Sequence, residues 1–313
     1  MSDLIVLAVG GNSLIRDEQH RTVADQWVLA RETCHHIAEI IQADHRVVVT
    51  HGNGPQVGFI MRRSELARHE LHPVPLDSCD ADTQGAIGYM IQQSLENEFL
   101  RRGLKKSAVA LVTQVEVDPN SPAFADPSKP IGAFMDEATA RTRAAQEGWT
   151  VKEDAGRGWR RVVPSPEPRA IVEIEAIRAL VDAGFVVTAV GGGGIPVVRD
   201  GEGQLHGVEA VIDKDYASSL LAIELRADLF VISTAVCQVC LDYRKPGERA
   251  LSRLTLDEAR RYLAEGQFGE GSMAPKIRAV IHYLERGGTR AIITCPEQLE
   301  QAVAGRAGTE IVP

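Results

Sequence analysis

Short apolar segments alternate with amphipathic segments along most of this chain. Six apolar runs have the length of a buried strand: residues 4–9, 46–50, 107–113, 185–190, 229–234 and 290–294. Between the first two runs, apolar residues recur every three or four positions from Val23 to Ile41, the spacing of one helix face. This alternation is typical of a mainly parallel sheet covered by helices on both faces, so we predict an α/β fold.

Five more helices are predicted at residues 80–102, 173–183, 215–225, 255–265 and 276–286. A region between Asp118 and Pro168 interrupts the alternation and holds seven of the fifteen prolines. It contains a predicted hairpin, 150–154 with 159–163. Because proline is poorly tolerated inside a sheet, we predict a small protruding subdomain at about 118–168. A second predicted hairpin, 196–199 with 204–208, marks a seam between an N-terminal lobe (1–209) and a C-terminal lobe (210–313).

Charge and composition exclude several classes of protein. The net charge of −9 leaves no broad basic field for nucleic acid. The chain contains no run of eighteen apolar residues, the length needed to span a membrane. No basic segment precedes the short apolar run at 4–9, as one would in a signal peptide. Five cysteines, an odd number, do not indicate a disulfide framework. We therefore expect a cytoplasmic protein with neither nucleic acid nor membrane as a partner.

Three of the predicted strands run directly into glycine-rich loops: Gly10-Gly11-Asn12, the segment 51–58, and the segment 191–196. Glycine lets successive backbone N–H groups converge on an oxyanion, and a helix that follows adds its positive end. Glycine in tight turns alone would give the same pattern at one loop, but three such loops favour an anion site. The spacing of Gly52, Gly54 and Gly58 does not fit the dinucleotide pattern, and no P-loop motif is present.

Three lysines lie in unusual settings. Lys214 stands between Asp213 and Asp215 at a predicted helix start, Lys276 lies near another helix start, and Lys129 lies in the proline-rich region. A lysine at a helix N-terminus opposes the helix dipole unless an anion is close. Phosphoryl transfer requires positive charge around the migrating group. Ordinary solvated surface lysines are the alternative, and the settings of these three favour phosphoryl transfer.

Taken together, these segments resemble the carbamate kinases of the amino-acid-kinase fold. The resemblance runs nearly end to end and is carried by eight segments in the same order: AVGGNSL (8–14), THGNGPQVG (50–58), TQGAIGY (83–89), KPIG (129–132), GRGWRRVVPSP (156–166), GGGGIP (191–196), VIDKD (211–215) and GQFGEGSMAPK (266–276). A single Gly-Gly-Asn would be weak evidence, whereas eight ordered segments form a specific signal.

The resemblance implies a homodimeric three-layer sandwich around a twisted, mainly parallel sheet of about eight strands. The N-terminal lobe would bind carbamate or carbamoyl phosphate, and the C-terminal lobe would bind ATP or ADP. Mg²⁺ would arrive with the nucleotide, and we assign it no protein ligand. The residues implied to line the small-substrate site are Gly10, Gly11, Asn12, Gly52, Asn53 and Gly54. Those implied to contact nucleotide are Gly192, Gly193, Asp215, Thr234, Ala235, Tyr243 and Met273.

The resemblance also implies catalytic roles. Lys214 and Lys276 would stabilise the transferring phosphoryl group, with Asp213 orienting them. Lys129 would reach the site from the protruding subdomain. It would replace a lysine that relatives acting on amino acids carry near the first glycine loop. Many relatives have an Asp in the strand-end motif near the nucleotide, where this chain has Thr234, Ala235 and Val236. They usually have a glycine at the position of Arg244.

Three smaller features have alternative interpretations. Arg157, Arg160 and Arg161 form either a solvated hairpin face or a group that closes over substrate. Cys237 and Cys240 have no second Cys or His pair with zinc spacing, so a packed strand end is favoured over a metal or redox site. His51 could be a base, although a histidine that holds its loop by hydrogen bonds is favoured.

Carbamate is already an anion, so its oxygen needs no general base to attack phosphorus, and the protein must supply alignment and positive charge. The predicted reaction is ATP + carbamate = ADP + carbamoyl phosphate, used to form ATP in arginine catabolism. The alternatives are a kinase of the same fold that acts on another small acid, a non-catalytic sensor of carbamoyl phosphate, and a nicotinamide-linked oxidoreductase. The glycine spacing counts against the last.

Overall fold

Strands and helices alternate along the chain, as the apolar pattern predicts. The structure, a computed structural model, describes residues 2–10, 14–15, 17, 19–153, 156 and 158–313. Its strands are β1 (Leu4–Val9), β2 (Arg46–His51), β3 (Ala108–Ala110), β4 (Gln114–Val117), β5 (Lys129–Met135), β6 (Thr150–Glu153), β7 (Trp159–Val163), β8 (Pro168–Ile171), β9 (Val186–Thr188), β10 (Ile195–Arg199), β11 (Leu205–Gly207), β12 (Leu229–Ser233), β13 (Val239–Leu241), β14 (Arg249–Leu251), β15 (Arg253–Thr255), β16 (Ala291–Thr294) and β17 (Thr309–Val312). Its helices are α1 (Val23–Gln42), α2 (Gly54–Ala67), α3 (Leu76–Arg102), α4 (Pro122–Ala125), α5 (Glu137–Glu147), α6 (Ile174–Asp182), α7 (Lys214–Glu224), α8 (Leu256–Ala264), α9 (Met273–Glu285) and α10 (Leu299–Val303).

The central sheet has eight strands in the order β15-β17-β16-β12-β1-β2-β9-β3. Its neighbouring strands are parallel except at β16 and β17, which pair antiparallel. In register, Val9 at the end of β1 lies beside His51 of β2 and Ser233 of β12. The prediction of a mainly parallel sheet of about eight strands is confirmed. The loops after β1, β2 and β12 therefore meet at one edge, where ligands bind in sheets of this kind.

Alternate residues of β1 point into two separate cores, because successive side chains of a strand face opposite sides of the sheet. Val6 joins a core with residues of α6, α7 and α9, such as Ile177 and Ile277. Leu7 joins the other core with residues of α1, α3 and α10, such as Ile37. Helices thus cover both faces of the sheet, and the predicted three-layer sandwich is confirmed.

Local capping explains where several helices begin and end. Thr22 and Asp25 form a reciprocal capping box at the start of α1, and Thr255 and Glu258 form another at α8. Helix α3 ends at Gly103, whose φ of 65° is the left-handed conformation that glycine adopts at helix ends.

Some predicted boundaries are wrong, for identifiable reasons. The apolar run 107–113 contains only the short β3, because the chain then crosses into a second sheet of order β11-β10-β4-β8. The run 185–190 gives only β9, since Val190 has a left-handed φ of 53°. Helix α3 begins after Pro75 instead of at residue 80. Helix α2 was not predicted, because glycine and proline at its start hid it.

Both predicted hairpins are present. Strands β6 and β7 join β5 in a separate three-stranded sheet of order β5-β7-β6, which lies within the predicted subdomain range of 118–168. Asp154, the last residue of the first predicted hairpin arm, lies outside the described residues. Strands β10 and β11 form the second hairpin. The assignment of two lobes stays a prediction.

One expectation about the cysteines is wrong. The odd cysteine count gave no indication of a disulfide, yet the structure pairs Cys237 with Cys295. These residues are 58 positions apart in sequence, and only the adjacency of β12 and β16 brings the loops after them together. Cys240 is a half-buried cysteine on β13 outside this disulfide, and it lines the second of the two clefts described below. Within the described residues, none of the helices combines the length and apolar character that crossing a bilayer requires.

Candidate active site

Two clefts meet at the edge of the sheet where the glycine loops lie. The first has a volume of about 1190 Å³ and the second about 840 Å³, ample for small-molecule ligands. Four residues line both clefts: Lys214, Gly271, Ser272 and Lys276. The first cleft also contains Gly52, Asn53, Gly54 and Lys129, and the second contains Thr234, Ala235, Tyr243 and Met273. Three of the residues predicted for the substrate and four of those predicted for the nucleotide thus lie on opposite sides of two predicted catalytic lysines, whereas Gly10 lines the second cleft and Gly192 and Asp215 line the first.

Asp215 holds these two lysines together. Its Oδ1 accepts a hydrogen bond from Lys214 Nζ at 2.6 Å, and its Oδ2 accepts one from Lys276 Nζ at 2.9 Å. Burial alone would raise the pKa of Asp215, but the two ammonium groups outweigh it and lower that pKa to about 2. Sequence reasoning gave the orienting role to Asp213 and a nucleotide contact to Asp215. The carboxylate that actually bridges the lysines belongs to Asp215.

Asp213 has a different set of contacts. As the cap of α7, its Oδ1 accepts hydrogen bonds from the backbone N–H groups of Asp215 and Tyr216 at 3.0 and 3.3 Å. Its Oδ2 accepts one from Lys129 Nζ at 3.1 Å. Lys129 begins β5, so this contact joins the three-stranded sheet to the start of α7. Three lysines and two aspartates therefore form one connected array.

The second glycine loop is fixed by His51, which is buried. Its Nδ1 lies 3.1 Å from the carbonyl oxygen of Gly52. Burial lowers the pKa of His51 to about 4, so the imidazole is neutral and a weak base at neutral pH. These contacts agree with a histidine that holds its loop.

The pKa of His51 predicts a loss of stability in acid. Its folded pKa of about 4 lies below the 6.5 of an unperturbed histidine, so the unfolded state binds the extra proton between those values. The free energy of unfolding should fall as pH drops from 6.5 to 4, with about 3 kcal/mol from this group at 1.36 kcal/mol per pH unit. Urea unfolding of wild type and His51→Gln across this range measures it. If the unfolding free energies of the two proteins depended equally on pH, the prediction would be contradicted.

The third glycine loop packs against the second. Gly191–Gly193 forms a single 3₁₀ turn in which Gly192 has φ of 72°. A side chain at Gly191 would overlap the His51 ring, and one at Gly192 would overlap the Asn53 amide. Gly193 lies against the backbone of Ile212. Gly192 lines the first cleft, so this loop shapes the predicted substrate side, although sequence reasoning assigned Gly192 and Gly193 to the nucleotide.

We expect Gly192→Ala to lower kcat/KM by at least tenfold, because the new methyl group must displace Asn53 and the residue is held at positive φ. Steady-state kinetics and a melting curve measure the effect. Gly201→Ala is the matched control, since a Cβ there meets no atom of the described residues within 4 Å. An unchanged kcat/KM for Gly192→Ala would show that this close approach is not needed.

Arg244 has an unusual backbone conformation in the second cleft. It lines this cleft with φ of 60°, the left-handed conformation that glycine adopts more easily than arginine. Gly10, predicted to bind the small substrate, also lines the second cleft, and its N–H donates to Ser233 O at 3.1 Å. Gly11, Asn12 and Arg157 lie outside the described residues.

The two described arginines of the predicted cluster have different surroundings. Arg160 lines the first cleft and donates from Nη2 to the carbonyl of Gly132 at 3.1 Å. Arg161 pairs with Glu209 at 2.8 Å and lies over the Trp149 ring at 4.9 Å. Arg160 therefore borders the site, and Arg161 ties β7 to the segment before α7.

Sequence reasoning missed two residues next to Asn53. Asn53 Nδ2 donates to Asp80 Oδ1 and to Thr83 Oγ1, both at 2.9 Å, and all three residues are buried. The signal was available, because Thr83 opens the TQGAIGY segment that carries part of the resemblance. Among the described residues, no three His, Cys, Asp or Glu side chains converge as a metal site.

Comparison with known proteins agrees with this geometry. Residues 3–295 match the model of the amino acid kinase family. The chain is 50% identical to carbamate kinase-like protein YahI of Escherichia coli, with 100% of this chain and 99% of that protein covered. It is 48% identical to the carbamate kinase of Thermococcus kodakarensis, with 98% of each covered.

A solved structure shows the same likeness. Carbamate kinase from Giardia lamblia bound to AMP-PNP superposes with a TM-score of 0.94 at 40% identity, and 99% of this chain and 98% of that chain are covered. The match extends over both clefts and the three-stranded sheet, since nearly the whole chain is aligned. The chain belongs to the amino acid kinase family and, within it, to the carbamate kinases and their close relatives.

Proposed function

We propose that this protein is a carbamate kinase that catalyses ATP + carbamate = ADP + carbamoyl phosphate. The observation that carries the proposal is the meeting of the two clefts at Lys214 and Lys276. One cleft has glycine loops and Lys129 for a small anion. The other has Thr234, Ala235, Tyr243 and Met273, four of the residues predicted for the nucleotide. Phosphate transferred between ligands in the two clefts would pass beside both lysines.

In the proposed reaction, a carbamate oxygen attacks the γ-phosphorus, and the bond to the bridging oxygen of ADP breaks with its electron pair leaving on ADP. Lys214 and Lys276 would stabilise the negative charge on the transferring group, and Asp215 holds both ammonium groups in place. Lys129 would hold the small substrate. No base is required, since carbamate is already ionised, and the weakly basic His51 agrees with that.

Helix starts add to the positive potential. The first turns of α2, α7 and α9 begin at Gly54, Lys214 and Met273, all of which line the clefts. Helix N-termini attract anions through their free N–H groups. Such a site fits two oxyanions that share a transferable phosphoryl group.

We also propose that Mg²⁺ takes part as a complex with the nucleotide. The carboxylates at the junction are engaged by lysines, so phosphate oxygens are the better ligands for this ion. When bound, Mg²⁺ would neutralise charge on the nucleotide phosphates.

The test is formation of ATP from ADP, Mg²⁺ and carbamoyl phosphate by the pure protein, measured with a coupled luminescent assay. We expect ATP to form in proportion to the enzyme added. The Lys214→Ala variant, purified by the same procedure, is the control for contaminating kinase. Binding of carbamoyl phosphate without turnover would favour the sensor. A panel of ATP with carbamate, acetate, glutamate, N-acetylglutamate, aspartate and UMP tests the acceptor. Faster turnover of another acid would favour the same-fold alternative.

The subdomain at about 118–168 should respond to ligand. It delivers Lys129 to the first cleft, where the Lys129 ammonium donates to Asp213 at the start of α7. We predict that carbamoyl phosphate slows amide hydrogen exchange in β5 and β7, because a ligand held by Lys129 closes this segment over the site. Exchange mass spectrometry with and without ligand measures it, with β16 as an internal reference. Exchange that is slow and identical in both states would indicate a fixed lid.

The lobes and the oligomer complete the proposal. Strands β1, β2, β9 and β3 all come from residues 1–209 and form one half of the sheet, while β12, β16, β17 and β15 come from residues 210–313 and form the other. This supports an N-terminal carbamate lobe and a C-terminal nucleotide lobe. The resemblance supports a homodimer, which light scattering after gel filtration can test. ATP formation in arginine catabolism is the physiological role that we propose.

A further inference from the structure

Asn53 occupies the cap position of α2, but its side chain turns toward α3. Asparagine at this position commonly caps its own helix. Here its Nδ2 instead lies 2.9 Å from both Asp80 Oδ1 and Thr83 Oγ1. The first turn of α2 is thereby left to interact with a ligand, and the amide group is held by a neighbouring helix.

The direction of this amide is fixed by chemistry. The Thr83 hydroxyl donates its hydrogen to the backbone carbonyl of Asp80 at 2.8 Å, so its oxygen must accept from Asn53. The Asp80 carboxylate accepts the second amide hydrogen. Burial raises the pKa of Asp80 to about 7, but the Thr83 contact imposes the same direction whether or not Asp80 is protonated. The hydrogen-bonding atom that Asn53 can still offer is its carbonyl oxygen.

An acceptor at this point differs from its surroundings. Asn53 lines the first cleft together with Gly52, Gly54, Lys129 and Lys214. Ammonium groups and backbone N–H groups are donors, which suit the oxygens of a carbamoyl or phosphoryl group. The amino group of carbamate is itself a donor and requires an acceptor. The amide face also packs on Gly192, which leaves it little room to rotate.

We propose that Asp80 and Thr83 are positioning residues that hold the Asn53 carbonyl oxygen against the amino group of carbamate and carbamoyl phosphate. The trio would set the preference for an amino group over a methyl group of the same size. This inference rests on the proposed function and names the part of the site that selects its substrate.

The test compares carbamoyl phosphate with acetyl phosphate as phosphoryl donors to ADP, since the two differ in an amino group against a methyl group. The readout is the ratio of their kcat/KM values. We expect Thr83→Val to lower this ratio about tenfold and Asp80→Asn with Thr83→Val to lower it further, toward a hundredfold, because the amide loses its fixed direction. A merely structural defect would lower both values together and leave the ratio unchanged.

Matched variants separate these cases. Thr83→Ser retains the hydroxyl and should restore the wild-type ratio. Asp82→Asn, an exposed neighbour on the same helix, should leave the ratio unchanged. In an Asn53→Ala background, Thr83→Val should have no further effect on the ratio, since Thr83 acts through Asn53. If the double variant does not fold, Thr83→Val against Thr83→Ser decides the question alone.

Dissociation constants of the two compounds, measured by calorimetry, give a second ratio that tests the same preference in the ground state, without turnover. If wild-type protein forms no ATP, but Thr83→Val lowers the preference for binding carbamoyl phosphate over acetyl phosphate, the proposed function is overturned and this inference is supported. Wild-type protein that forms ATP with a ratio unaffected by Thr83→Val would overturn the inference and leave the function intact. An equal binding ratio in wild type and Thr83→Val would also overturn it.

Discussion

Replacement of Lys214 by Ala should lower turnover by about a hundredfold or more, because one preorganised donor to a transition-state charge contributes roughly 3–4 kcal/mol. The Lys214 ammonium lies at the junction of the two clefts, 2.6 Å from Asp215. The melting temperature should change little, since Lys276 still pairs with the buried Asp215 carboxylate. Steady-state turnover and a melting curve on the same sample measure both quantities.

Two controls define this result. Lys152→Ala removes an exposed lysine of β6 that pairs with Asp126, and it should leave turnover unchanged. Lys214→Arg retains the charge but not the compact ammonium geometry, so it should recover only part of the activity. Near-normal turnover of Lys214→Ala would remove this lysine from the catalytic group. The same comparison applies to Lys276→Ala.

Asp215→Asn should impair both turnover and folding. The change leaves two largely buried ammonium groups facing each other without a counter-charge, and breaking a buried ion pair costs about 3–5 kcal/mol. The lysines would also lose their fixed positions, so turnover should fall at least a hundredfold. Urea unfolding and steady-state kinetics at neutral pH measure the two effects.

The pH dependence of this variant has a defined sign. The folded pKa of Asp215 is about 2 and the unperturbed value is 3.8, so its stabilisation is fully present above 3.8 and is lost as pH falls toward 2. The stability difference between wild type and Asp215→Asn should shrink over that window.

A double variant and a surface control complete the design. Asp215→Asn with Lys276→Met removes the excess charge and should recover part of the stability, without recovering turnover. Asp257→Asn, at an exposed aspartate paired with Arg260, should affect neither quantity. Wild-type stability in Asp215→Asn would show that the two lysines do not depend on this carboxylate.

The fold was predictable because its signal is local. Apolar runs such as Leu4–Val9 are buried on both sides of a parallel strand, and helix faces repeat every three to four residues, so both patterns survive in a single sequence. The predicted strand boundary was wrong where the backbone departs from regular geometry, as at Val190. Helix α2 was missed because it begins with glycine and proline. Residue propensities do not predict that a buried valine adopts the left-handed conformation.

By itself, the sequence determined the sheet, its glycine loops and the three lysines, since residue type and spacing carry that information. Only the tertiary structure decided which side chains pair with one another. The bridge from Asp215 to Lys276 spans 61 positions, the link from Lys129 to Asp213 spans 84, and the disulfide from Cys237 to Cys295 spans 58. The aspartates at 213 and 215, on either side of Lys214, look equivalent in sequence. They differ in the structure because the first caps α7 and the second lies inside its first turn, where the helix aims its carboxylate between two lysines.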